Sequence, residues 1–211
     1  MMKVTVIGAG NMGSALVKQL TLAGHQVSVA ARNGSKAAQV AAANPGARAV
    51  DVANSAADAE AVVLATAYAD AVDALKSVGN LQGKVVIDIT NPLTADYMAL
   101  TLGHTTSAAE EIAKALPGAE VVKGFNTLFA QVLAEGSDFG KGRKATVFVA
   151  SDSARGKEIT ATLARSMGFE VVDAGGLKNA RYLEPLAALN IYLGYGAGLG
   201  TAIAPTWIHK A

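Results

Sequence analysis

The sequence predicts an α/β protein, doubly wound around a mostly parallel sheet, with a small C-terminal helical extension. Three observations lead there. Short apolar runs alternate with helix-period segments along the chain. Hydrophobic residues make up 51% of the 211 and charged residues only 17%. A glycine turn, residues 8–13, separates the first apolar run from the first helix. Strands covered on both faces carry continuous apolar runs, so few charges and a parallel sheet go together. The length suits one domain, or one domain with an appendage.

The chain opens on an apolar strand, Val4–Ile7, followed by the glycine turn and an amphipathic helix over Met12–Ala23. Gly24-His25 stops that helix and Val27–Ala30 is the second strand. A helix over Ser35–Ala43, a turn at Asn44-Pro45-Gly46, and strands at Ala47–Ala49 and Ala61–Ala65 come next. The alternation continues with a helix at Tyr68–Val78 and a strand at Val85–Ile89. A looser Thr-rich segment to Ser107 leads into a helix (Ala108–Leu116), a strand (Glu120–Lys123) and a short helix (Leu128–Leu133). Strands at Ala145–Ala150 and Glu170–Asp173 flank a helix at Ala154–Met167. Gly136–Gly142 is the best candidate for a mobile surface loop, and a long apolar helix over Leu186–Ala204 ends the chain. Strands alternating with helices imply right-handed crossovers.

Composition narrows the function classes. Eighteen Lys and Arg against 17 Asp and Glu give a net charge of +1, so no bulk field draws in nucleic acid or an anionic membrane. There is no cysteine, which removes disulfides, thiolate metal sites and dithiol redox chemistry within this chain. The first apolar run is too short for a signal segment, and glycines 194, 196, 198 and 200 with Asn190 favour a buried helix over a membrane span. A cytoplasmic protein is expected, and an all-round apolar last helix would be covered by its own sheet or by a second copy in a homodimer.

Gly8-Ala9-Gly10-Asn11-Met12-Gly13 matches G-x-G-x-x-G and stands between a strand and a helix within one βαβ unit. In that setting Gly8 makes the tight turn, Gly10 lets a pyrophosphate approach the backbone, and Gly13 brings helix and strand together. Asn11 and Met12 open the helix, whose N-terminus offers unpaired N–H groups to phosphates. This is the fingerprint of a Rossmann dinucleotide-binding domain, assigned to residues 1–143, with residues 144–211 completing a second cleft wall or continuing the same domain. Where an NAD site places an acid after the second strand, the chain reads Arg32-Asn33-Gly34-Ser35-Lys36. Arg32 offers a planar fork to a 2′-phosphate and Lys36 a second charge, with Asn33 and Ser35 as further donors, so NADP(H) is the expected cofactor. In an unrelated loop the same side chains would be ordinary solvated charges.

Ligands of open α/β sheets lie beyond the carboxyl ends of the strands. Thr66 and Ala67 follow the fourth strand and Asn91-Pro92 the fifth, so all four are expected at the cofactor, although Asn-Pro is also a common strand-ending turn. Asn126, in Gly124-Phe125-Asn126-Thr127 beyond the sixth strand, can face the nicotinamide and also cap a helix. No acid–base catalyst stands out. His25, His104 and His209 each read as solvated, and nucleophile-elbow, zincin and Walker motifs are missing. Direct hydride transfer needs alignment and water exclusion more than a proton relay.

The run Val6–Gly13, then Gly24-His25-x-Val27 and Ala31-Arg32-Asn33-x-x-Lys36, resembles the NADPH-dependent reductases of the deazaflavin coenzyme F420 family. The segment Asp173–Glu184, reading D-A-G-G-L-K-N-A-R-Y-L-E, resembles that family's second and more specific motif. Nearly the whole chain is covered. Gly124-Phe125-Asn126 also resembles the reductase portion of the STEAP metalloreductases. The resemblance implies NADP phosphate contacts at Arg32 and Lys36, a nicotinamide pocket near Asn91 and Pro92, and an acceptor ring stacked near Phe125–Thr127 and the last helix. Archaeal members tend to carry histidine where Asn126 stands, so the acceptor is a small-molecule deazaflavin, or else a flavin (FMN or FAD) or another acceptor.

Two other readings share these features. A β-hydroxyacid dehydrogenase or pyrroline-carboxylate reductase has the early glycine pattern but adds a substantial all-helical domain, for which about forty residues after the last strand are too few. A non-catalytic NADPH sensor would share the fold entirely.

Overall fold

The computed structural model describes residues 1–208 and 210. His209 lies outside them. Six parallel strands form the main sheet in the order β3-β2-β1-β4-β5-β6: β1 is Lys3–Ile7, β2 Gln26–Ala30, β3 Ala47–Ala49, β4 Ala61–Leu64, β5 Val85–Asp88 and β6 Glu120–Lys123. The helices are α1 (Asn11–Leu22), α2 (Gly34–Ala42), α3 (Ala71–Lys76), α4 (Ala108–Ala115), α5 (Ala130–Glu135), α6 (Ala154–Ser166) and α7 (Ala180–Ile191). The expected Rossmann topology is therefore present, and strand order reverses between β1 and β4.

Two more strands, β7 (Thr146–Val149) and β8 (Glu170–Asp173), pair in parallel with each other. They join the main sheet through one antiparallel bridge, Lys123 to Ala150. The main sheet separates two apolar cores, one on each face. Val4, Val6, Val27, Val29, Val63 and Ile87 pack toward α1, with Leu16 and Leu20, while Ile7, Val62, Leu64 and Val86 pack toward α3 and α4, with Leu75 and Ile112. This two-sided burial is why the strands read as continuous apolar runs.

Local chemistry sets the helix ends. Asn33, Ser107 and Ser153 each accept a backbone N–H three residues on, capping α2, α4 and α6. At the end of α1, Gly24 takes φ +81° and the His25 N–H returns to the Leu20 carbonyl, closing the helix with a Schellman-type turn.

Four expectations change. The last helix runs from Ala180, not Leu186, and after a wide π-type turn at Tyr192–Gly196 the chain is no longer helical. Gly198 and Gly200 sit at φ +74° and +77°, a left-handed backbone that cannot extend a right-handed helix. Nor is that helix buried all round, because Leu189, Tyr192 and Tyr195 are 54%, 51% and 63% exposed. Among the described residues no helix is long and apolar enough to cross a membrane. The Thr-rich segment after β5 is a compact hairpin, with Leu93 bridged to Leu100 and Thr94 bonded three times to Ala99. His25 is buried rather than solvated: its Nδ1 accepts the Met2 N–H and its Nε2 lies 2.9 Å from Ser166 Oγ.

Candidate functional site

The carboxyl ends of β1, β4, β5 and β6 open into one cleft of about 1130 Å³, closed on its far side by α7 and the π-type turn. Gly10, Asn11, Met12, Thr66, Ala67, Asn91 and Asn126 all line it. Gly8 and Gly13 lie beneath, and each is required by contact. A Cβ on Gly8 would fall 2.4 Å from the Ala65 carbonyl oxygen, and one on Gly13 would fall 2.0 Å from that of Gly8. At Gly10, by contrast, a Cβ would meet nothing within 4 Å. That open side faces the start of α1, where no side chain caps the helix and no acid occupies the first turn. The first N–H groups of α1 are thus free of competing anions, and the cradle fits a diphosphate by space and by sign.

The residues after β2 lie outside the cleft proper. Arg32 is 87% exposed, and its guanidinium faces the Asp70 carboxylate with contacts of 3.1 and 3.4 Å. Asp70 belongs to the single turn that follows Thr66 and Ala67, so this pair spans the mouth from β2 to β4. Asn33 is occupied as the α2 cap and also accepts from the Ser35 hydroxyl at 2.8 Å. Lys36 is exposed in the first turn of α2. Pro92 is buried between Asn91 and Leu93, its carbonyl bonded to the N–H and hydroxyl of Thr101.

Asn91 and Asn126 hold each other. Asn91 Nδ2 donates to the Asn126 carbonyl at 2.9 Å, and Asn126 Nδ2 donates to Asn91 Oδ1 and to the Leu183 carbonyl on α7. The two backbone carbonyls settle which way each amide points. Asn126 Oδ1 and the hydroxyls of Thr90 and Thr127 are left buried without a partner, on residues that line the cleft. Buried polar atoms of this kind call for a ligand or water. Phe125, just before, takes φ +58° while buried, a strained conformation for an aromatic residue.

Behind this wall stands a cluster that sequence reasoning missed. Lys123, Asp88 and Glu184 are all buried. Lys123 Nζ lies 2.6 Å from Asp88 Oδ2 and 2.8 Å from Glu184 Oε1, and it donates to the Thr90 carbonyl at 2.8 Å. The Asp88 approach is off the hydrogen-bond line, so that contact is an ion pair in which distance counts more than direction. Burial alone would push the Lys123 ammonium down, but the two carboxylates more than reverse this and raise it. Glu184 also accepts the N–H groups of Ala108 and Ala109, holding the start of α4. A signal was available: Asp88 and Lys123 are single charges ending apolar runs, and they face each other in register across β5 and β6.

The second motif is explained by the same contacts. Glu184 anchors α7 to Lys123, Arg181 forks onto Glu110 at 2.7 and 2.8 Å, Asn179 bonds the Ala174 carbonyl, and Asp173 pairs with Lys157. The motif fastens α7 over the cleft. Among the described residues no cluster suited to a metal ion occurs.

A family model described as coenzyme F420-dependent NADP oxidoreductase matches residues 3–92. The F420-dependent NADP reductase of Methanothermobacter thermautotrophicus is 32% identical over 212 aligned positions, covering 91% of this chain and 89% of that protein. Metalloreductase STEAP3 of Rattus norvegicus is 29% identical over 87% of this chain, but the chain spans only 36% of that protein. For the STEAP2 proteins of mouse and human the share is 22%. A crystal structure from Arthrobacter sp. FB24, of a protein assigned as an F420-dependent NADP-reductase, superposes with a TM-score of 0.87 at 31% identity, covering 99% of this chain and all of that one. An imine reductase from Pseudomonas, at 20% identity and a TM-score of 0.66, shares the fold.

Proposed function

The chain belongs to the coenzyme F420-dependent NADP oxidoreductase family, and from that premise we propose that it passes a hydride between NADP(H) and a deazaflavin or flavin-like ring seated in the cleft. The observation that carries this reading is the open side of Gly10 at an uncapped helix start, continuous with a cleft that ends at unpartnered polar atoms. Arg32 and Lys36 would take the 2′-phosphate, with Asn33 and Ser35 beside them. Gly8, Gly10, Asn11, Met12 and Gly13 would cradle the diphosphate, and Thr66, Ala67, Asn91, Pro92 and Asn126 would surround the nicotinamide end. Bound NADP(H) supplies the hydride; the protein aligns the two rings and keeps water out. On this reading residues 1–143 hold the cofactor, and residues 144–211 complete the acceptor side through α7.

A second copy covering Leu189, Tyr192 and the neighbouring Tyr182 would make a homodimer, and the cytoplasm is the expected compartment. The test is to mix the purified protein with NADPH and a panel of F420, FMN, FAD and a ferric chelate, following nicotinamide absorbance. Turnover with F420 or a flavin is the expected outcome. Tight NADPH binding without turnover across the panel would contradict it and favour a sensor.

A further inference from the structure

The Asp88–Lys123–Glu184 cluster has no part in holding the cofactor, yet it lies directly behind the cleft wall at Thr90. We propose that it acts through its field: a buried excess of carboxylate that favours the cationic, oxidised nicotinamide over the neutral, reduced one. The inference rests on the cofactor placement given above.

Every close partner of the two carboxylates is a donor. Glu184 meets two backbone N–H groups and the ammonium; Asp88 meets the Thr90 N–H and the same ammonium. The formal charge of the cluster is therefore −1. The start of α4 offsets about half a unit charge at Glu184. The other charged pairs near the start of α4, Arg181 with Glu110 and Lys114 with Glu111, are each neutral as a pair. The hydroxyl of Tyr68, which lines the cleft, is raised above the usual tyrosine range by burial first and by Glu111 second; Glu184 and Asp88 add to this and Lys123 opposes it.

Position matters as much as sign. With the adenosine phosphate at Arg32 and the diphosphate at Gly10, only the end of the cleft along β5 and β6 is left for the nicotinamide. When NADPH gives up a hydride from C4, two electrons and a proton leave together and the neutral dihydropyridine becomes a pyridinium cation. The acceptor ring takes the hydride, with a further proton drawn from solvent. A negative field behind the ring stabilises that cation in a site of low dielectric. The cluster thus biases the bound couple toward donation from NADPH.

NADP+ and NADPH differ only in this ring, so phosphate contacts cancel in the ratio of their dissociation constants. Binding of both forms is measured by titration on the parent, Glu184→Gln and Asp88→Asn, with a thermal melt to check folding. Both replacements are isosteric; Asp88→Asn keeps an oxygen for the Thr90 N–H, whereas Glu184→Gln keeps one for only one of its two N–H donors, so Asp88→Asn is the cleaner variant. The expected result is that each variant weakens NADP+ about three- to tenfold more than NADPH. Equal loss of both forms, or an unmoved ratio in a folded variant, overturns the proposal and leaves the cluster as structural glue. A parent that binds neither form overturns the cofactor placement as well.

Discussion

Arg32 is the residue on which the choice of dinucleotide is proposed to turn. In the structure its fork is taken by Asp70, in an exposed pair that solvent screens strongly. A phosphate dianion can replace that carboxylate and take the fork more firmly. Replacing Arg32 with Ala should weaken NADPH about ten- to a hundredfold, the 1.5–3 kcal/mol of hydrogen bonds to a charged group, while leaving NADH nearly unchanged. Equal loss for both would remove Arg32 from the phosphate site. His25 makes a second prediction, on stability. Its Nδ1 accepts the Met2 N–H, so Nε2 carries the proton toward Ser166, whose hydroxyl donates to the Leu163 carbonyl. Burial first, and the chain N-terminus second, lower its affinity for a proton. Above about pH 6.5 both folded and unfolded chains hold it neutral and stability is unaffected. Below that, the unfolded chain binds the proton more readily, and stability falls until the lower folded value is passed. The melting temperature should therefore drop between pH 7 and pH 5 more steeply for the parent than for His25→Gln. Parallel profiles would exclude this role. Arg32 was legible because it stands where an acid is the rule. The burial of His25 was not, because its partners Met2 and Ser166 are brought to it only by folding.

The βαβ unit is where sequence and structure agree most closely, and its glycines separate two kinds of requirement. Gly13 is fixed by packing, since any Cβ there would collide with the Gly8 carbonyl. Gly10 is not, since φ −83° suits any residue and space surrounds it. Gly13→Ala should therefore cost roughly 1–3 kcal/mol or more in a denaturant melt, as overpacking against rigid backbone does. Gly10→Ala should cost about 1 kcal/mol or less as an N-cap change, yet weaken NADPH sharply because its methyl fills the cradle. If Gly10→Ala bound NADPH as the parent does, the diphosphate would lie elsewhere. Most strands were legible to within a residue, because a parallel sheet buried on both faces leaves continuous apolar runs. The last helix was not. Its apolar pattern continues through glycines whose left-handed backbone ends the helix early, and composition alone did not locate that point.

Across the whole molecule, the sheet's carboxyl edge, the hairpin after β5 and the end of α7 enclose one cleft. Half of that enclosure was readable as motifs: the glycine turn, the positions after β4 and β5, and the segment from Asp173 to Glu184. The ionic cluster behind it depends on contacts between Asp88, Lys123 and Glu184, which are 35 to 96 residues apart in the chain, and no local pattern encodes such a meeting. The exposed apolar side chains of α7 were likewise hidden, since exposure belongs to the packed molecule and not to the sequence. What unites these parts is a proposed direct transfer between two rings held in that cleft. NADPH labelled with deuterium at C4 on one face, then on the other, tests this directly when F420 is the acceptor and its reduced form is weighed by mass spectrometry. One label should move to the deazaflavin carbon and the other should stay on the nicotinamide. Reduction without deuterium from either face, or no reduction at all, would contradict direct hydride transfer in this cleft.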